Sequence, residues 1–206
     1  MKELRIGLSM RETKSQEYYE IRDSISRDWL RYFKECLPNC KIIFLPNLGS
    51  DIITYIEDWN LNGFILTGGE DFGFSLTRDN TEKKIFEFSQ KKSLPILGIC
   101  RGFQLINKFM GGSIVKGNNN FNKHHCPTRH QINFKNKIVT VNSYHSNFID
   151  ETTIPKKINI TSRCIIDNSI ESFEGKNILG FMWHPERESN FSKFDLLEIK
   201  KLFKYD

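Results

Sequence analysis

The chain is 206 residues long, 38% hydrophobic and 27% charged, with a formal net charge of +5. That length suits one domain, taken here as residues 1–206, around one substantial core, and 17 Phe with 3 Trp exclude a disordered chain. No run approaches the ~18 apolar residues of a membrane span, and Met1–Met10 has neither the apolar stretch nor the cleavage site of a secretory signal.

Strand-like and helical segments alternate along the chain. Arg5–Ser9 (RIGLS) reads as a first strand. Residues 19–37 read as an amphipathic helix, because Ile21, Ile25, Trp29 and Phe33 recur at a spacing of four. Lys41–Leu45 (KIIFL) and Gly63–Leu66 (GFIL) are short apolar strands, closed by Pro46 and by Thr67-Gly68-Gly69. Asp79–Glu82 (DNTE) has the form of a capping box, which predicts a helix over 83–90. Residues 94–99 (LPILGI) read as a strand and 103–110 as a helix stopped by Gly111-Gly112. Residues 117–123 (GNNNFNK) read as a loop. The second half has more β character, with strands expected over 131–134, 137–142, 158–162, 169–173 and 178–183, and a closing helix over 192–204. Short, fully apolar strands alternating with helices predict a parallel sheet covered on both faces. Such sheets carry their chemistry at the carboxyl ends of the strands.

At one such end the chain runs Gly98-Ile99-Cys100-Arg101-Gly102 and enters a helix directly. This is the pattern of a nucleophile elbow with cysteine as the nucleophile. Glycines two positions either side permit the tight turn, and the helix N-terminus favours a thiolate. A base is available where the 178–183 strand ends, in His184-Pro185-Glu186. His184 can face a cysteine on a neighbouring strand, and Glu186 can return to hold its other nitrogen. Acyl transfer also needs two N–H groups aimed at the developing oxyanion. Gly69 and Arg101, the residue after the nucleophile, are the natural suppliers.

These motifs together resemble the class I glutamine amidotransferases, whose elbow GxCxGxQ is met here by Gly98 to Gln104 and whose His-Pro-Glu end is met by His184 to Glu186. Arg78, Asp79 and Glu82, the run LPILGICRGFQLIN, GGS at 111–113, His130 and the VNSYH stretch ending at His145 are similar to one branch, the free-standing γ-glutamyl hydrolases. That branch includes enzymes acting on γ-glutamyl-γ-aminobutyrate and on γ-glutamyl-CDP-amidate, the latter on the route to capsular phosphoramidate. The resemblance implies a flavodoxin-like α/β fold with a mostly parallel central sheet, helices on both faces and a small antiparallel addition. It implies that Gln104 and the backbone at Ser143 and Tyr144 bind the glutamyl head group, and it places His145 near the site as a pocket or packing residue. It implies hydrolysis through a γ-glutamyl thioester on Cys100 and a small-molecule γ-glutamyl substrate, nucleotide-linked in the CDP-amidate case. A γ-glutamyl-γ-aminobutyrate-type hydrolase, a glutaminase subunit feeding ammonia to a partner synthetase, a non-catalytic binding protein and a general cysteine protease stand as alternatives.

His124, His125, Cys126 and His130 crowd into HHCPTRH, but their spacing matches no common zinc pattern, so no metal is expected, and the chemistry requires no organic cofactor. The five Cys are odd in number and form no CxxC pair, which favours free thiols and a cytoplasmic location. Basic and acidic residues are interspersed, so neither a nucleic-acid nor a membrane partner is expected.

Overall fold

The computed structural model describes residues 3–205; Met1 and Lys2, at the head of the stretch read for a signal, and Asp206 fall outside the described residues. In chain order, β1 (Arg5–Ser9) is followed by a hairpin of β2 (Arg11–Lys14) and β3 (Ile21–Ser24) and then by α1 (Asp28–Cys36). The helix expected over 19–37 is therefore shortened to its second half. A spacing of four satisfies a helical stripe and one face of a strand alike, so Ile21 fits the pattern while lying half-exposed in β3. β4 (Lys41–Leu45) follows, then α2 (Ile52–Asp58), β5 (Gly63–Leu66) and α3 (Leu76–Lys92). The start of α3 corrects the capping-box reading. Ser75 is the cap, accepting from the Arg78 N–H at 3.2 Å, whereas Asp79 and Glu82 lie inside the helix and face the core. β6 (Ile96–Ile99), α4 (Arg101–Phe109) and β7 (Ile114–Lys116) come next. Most of residues 117–123, expected to be a loop, fall in a short helix, α5 (Asn119–His125), because the Asn118 side chain caps it through the N–H groups of Asn120 and Phe121. The remainder is β8 (Thr128–Phe134), β9 (Lys137–Ser143), β10 (Asn147–Ile149), β11 (Ile158–Cys164), β12 (Ile170–Gly175), β13 (Ile178–Phe181) and α6 (Lys193–Phe203).

One nine-stranded sheet runs β4-β1-β5-β6-β13-β12-β11-β8-β9. The strands from β4 to β13 are parallel. From β13 outward the pairing turns antiparallel and continues the same sheet. The central strands β5, β6 and β13 are buried at every residue, as a sheet covered on both faces requires. Alternate residues feed two cores. Ile65, Leu97, Ile99 and Phe181 pack with Trp29 and Phe33 of α1 and Ile199 and Phe203 of α6. Phe64, Leu66 and Ile96 pack with Ile56 of α2, Ile85 of α3 and Phe103 and Ile106 of α4 on the other face. The register sets Leu66 beside Gly98 and Gly98 beside Gly180, so β5, β6 and β13 end side by side.

Candidate active site

Cys100 leaves the end of β6 at φ 51° and ψ −102° and caps α4. A non-glycine residue at positive φ is strained, and such strain persists only where the surroundings impose it. Here they do. A Cβ at Gly98 would meet backbone atoms of Gly102 at 2.6 Å, and one at Gly102 would collide with the Leu66 carbonyl of β5. The Cys100 N–H donates to the Phe181 carbonyl of β13 at 2.8 Å, which ties the elbow to the strand that carries His184.

His184 lies three residues beyond the end of β13, and its charge acts on Cys100. Its Nδ1 is 2.7 Å from Glu186 Oε1, and all three side chains are buried. Burial works to raise the Cys100 thiol, but the charge of His184 and its hydrogen bond outweigh burial and leave the thiol below its ordinary value. Burial likewise opposes a charged His184, yet Glu186 and Cys100 hold its imidazolium up to about 9. Each group thus favours the charged form of the other, a thiolate beside an imidazolium. Asn142, at the end of β9, fixes the base from behind. Its Oδ1 accepts from the His184 N–H at 2.9 Å, and its Nδ2 donates to the His184 carbonyl at 2.8 Å. On the opposite side Gly68 presses on the ring, where a Cβ would come within 2.5 Å of His184 Cε1.

Gly69 follows β5 at φ 146°, and a Cβ there would strike the Arg78 guanidinium. Arg78 holds this turn by donating to the carbonyls of Thr67 at 3.2 Å and Gly68 at 3.0 Å. It also pairs with Glu70 at 2.9 Å and Glu82 at 3.3 Å. The Arg101 side chain reaches the same cluster, pairing with Glu82 and, at 2.5 Å, with Asp79. Glu82 also accepts from Ser9 Oγ at 2.7 Å. Buried charges of this kind are tolerable only when paired and hydrogen-bonded. The cluster joins the turn bearing Gly69 to the elbow bearing Arg101, a link that the sequence reading did not assign to Arg78, Asp79 and Glu82.

The residues expected to hold the glutamyl group lie around this array. Gln104, in the first turn of α4, is buried, with its side-chain N–H toward the Asn147 carbonyl at 3.4 Å. Ser143 is buried, and its hydroxyl donates to the His125 carbonyl at 2.6 Å. Tyr144 is partly exposed, edge-on to His184 at 5.7 Å and under the Arg187 guanidinium at 4.6 Å. His145 is buried and close enough to Cys100 for its charge to favour the thiolate. Of the histidines in HHCPTRH, His125 and His130 are buried beside His145 and Glu171. Glu171 lies in β12, far along the chain, which is why spacing within the motif did not reveal the cluster.

The sequence profile of Peptidase C26 matches residues 6–186. The chain belongs to this family, a class I glutamine amidotransferase-like group. This Peptidase C26 member is 29% identical to a γ-glutamyl-CDP-amidate hydrolase of Campylobacter jejuni, over 94% of its own length and 95% of that protein's. It is 33% identical to a GMP synthase (glutamine-hydrolyzing) of Petrotoga mobilis over 72% of its length, spanning only 30% of that larger protein. Its fold superimposes on the crystal structure of a glutamine amidotransferase of Thermotoga maritima with a TM-score of 0.66, covering 99% of this chain and 84% of that one at 17% identity.

Proposed function

We propose that this protein is a cysteine-dependent hydrolase of γ-glutamyl amides, acting in the cytoplasm, with one domain over residues 1–206 carrying the whole reaction. The observation that carries the reading is the meeting of Cys100, His184 and Glu186 at the ends of adjoining strands, with Glu186 2.7 Å from the imidazole. The Cys100 thiolate attacks the γ-carbonyl carbon of the substrate, and the N–H groups of Gly69 and Arg101 hold the oxyanion. The His184 imidazolium gives its proton to the departing nitrogen, the C–N bond breaks, and a γ-glutamyl thioester remains on Cys100. Neutral His184 then takes a proton from water as that water attacks the thioester, the C–S bond breaks, and glutamate leaves. Glu186 keeps the imidazole oriented, and Gln104, Ser143 and Tyr144 bind the glutamyl amine and carboxylate.

For the leaving group, the similarity covering nearly the full length of both chains favours a CDP-amidate, as in capsular phosphoramidate synthesis, over γ-aminobutyrate. The test is glutamate release from glutamine, γ-glutamyl-γ-aminobutyrate and γ-glutamyl-CDP-amidate. The expected result is rapid cleavage of the nucleotide conjugate, slow cleavage of glutamine, and no turnover by Cys100→Ala despite retained substrate binding. Turnover surviving in Cys100→Ala would overturn the mechanism. The similarity to GMP synthases supports a second reading, a glutaminase subunit serving a separate synthetase. No cleavage of any conjugate, with Cys100 still alkylated by a glutamine analogue, would favour it.

A further inference from the structure

Three buried side chains from separate parts of the fold turn one donor atom each toward a common point. His125 Nδ1, at the end of α5, is 3.3 Å from His145 Nε2, two residues beyond β9. Glu171 Oε1, on β12, is 3.6 Å from each of them. A tetrahedral metal with ligands at about 2.1 Å holds those ligands about 3.4 Å apart. The centre of the observed triangle lies about 2.0 Å from all three atoms, a zinc–nitrogen distance.

The far side of each ring fixes its tautomer. His145 Nδ1 faces the Asn147 carbonyl at 2.9 Å. A carbonyl can only accept, so Nδ1 carries the hydrogen, and it is Nε2 that is left to hold either a metal or a second proton. His125 Nε2 faces Asp167 Oδ2 at 2.9 Å, which leaves the lone pair of that ring at Nδ1. Two imidazole nitrogens and a carboxylate oxygen therefore converge on one buried point, where either a metal cation or a proton on His145 must stand between them. Metal-binding histidines are ordinarily held in this way, through the other nitrogen, by a carboxylate or a carbonyl. The second oxygen of Glu171 lies 3.4 Å from His130 Nε2, and neither atom has a hydrogen-bond partner.

We propose that His125, His145 and Glu171 bind a divalent transition metal, zinc by their donor set, with a water as fourth ligand. Asp167, which holds the far nitrogen of His125, lines a surface cavity of about 720 Å³ together with His124 and Phe121. The metal staples α5, the segment after β9 and β12 together. That segment carries Tyr144, and two of its groups, Ser143 Oγ at 2.6 Å and the His145 N–H at 3.1 Å, already bond to the His125 carbonyl. The site is distinct from the Cys100–His184 pair and does not rest on the proposed reaction. A proton shared by His145 and Glu171 is the competing occupant.

The test is zinc titration by equilibrium dialysis of the full chain after chelator treatment. One zinc per chain is expected in the wild type and in Cys100→Ala, with affinity at least ~10-fold weaker in His145→Gln, in Glu171→Gln and in the outer-sphere variant Asp167→Asn. Circular dichroism checks that each variant is folded. Cobalt in place of zinc should give the visible bands of a four-coordinate site without a thiolate-to-cobalt charge-transfer band. Absence of zinc from folded wild-type protein would leave the proton as occupant and overturn the proposal. Loss of zinc in Cys100→Ala, or a thiolate band with cobalt, would overturn it by placing the metal on a cysteine.

Discussion

Cys100 is held at positive φ by glycines that no larger residue can replace. The same turn puts its sulfur beside His184. Burial raises the thiol, while His184 most of all, with His145 and Arg187, lowers it. Removing the imidazole takes away the largest of the lowering groups. In His184→Ala the pH midpoint for alkylation of Cys100 by iodoacetamide should therefore rise relative to wild type. An unchanged midpoint would show that His184 does not set the thiolate. Asn142 meets His184 through its backbone, gripping its N–H and its carbonyl, and also donates to Glu188 Oε1 at 2.8 Å. Asn142→Ala should lower kcat by about 10-fold, of the order expected for a positioning residue, and leave KM nearly unchanged. A rise in KM at constant kcat would instead place Asn142 in substrate binding. Cys100, His184 and Glu186 were legible as a group because each follows an apolar strand in the sequence. Asn142 was not, because its function depends on β9 ending opposite His184, a pairing across the sheet that no local pattern encodes.

Among the elements, α3 separates cap from core. Ser75 caps the helix and Glu82 pairs with two buried arginines, alongside Glu70 and Asp79. Ser75→Ala should cost about 1 kcal/mol of stability, while Glu82→Ala, which leaves Arg78 and Arg101 without that partner, should cost ~3–5 kcal/mol. Urea unfolding midpoints distinguish these values, and equal losses would contradict the assignment. The DNTE pattern misled because capping chemistry and ion pairing use the same residue types, and only the fold decides which they serve. In α6, burial pushes the Asp195 carboxyl up to about 8, with Glu188 and Glu186 adding to the effect, while its Oδ1 accepts from Trp183 Nε1 at 3.1 Å. Because the folded-state pKa lies above the ordinary 3.8, the group supports folding fully below that value and loses its contribution as pH rises through about 8. Asp195→Asn keeps an acceptor for Trp183 and removes the titration. It should melt at a higher temperature than wild type at pH 9, and an identical or lower melting temperature there would refute the protonated, buried state.

At the scale of the whole molecule, the strand order β5-β6-β13 explains why sequence segments so far apart make one site. Cys100 rises from the middle strand, with the Thr67–Gly69 turn on one side and His184 on the other. That order was implicit in three fully apolar runs with chemistry at their ends, so the parallel half of the fold was legible. The antiparallel half was less so. Its strands were found, but the continuation of β12, β11, β8 and β9 from β13 in the same sheet rests on long-range pairing. No helix of the described residues is long and apolar enough to cross a membrane, and the five cysteines are free thiols. The central claim is covalent chemistry at one of those thiols. It is tested most directly by acid-quenching the protein during turnover of γ-glutamyl-CDP-amidate and mapping the adduct by mass spectrometry. The account predicts a single γ-glutamyl group on Cys100, accumulating in His184→Asn if that variant still acylates, and absent from Cys100→Ala. Turnover without any adduct on Cys100, or an adduct on another residue, would contradict it.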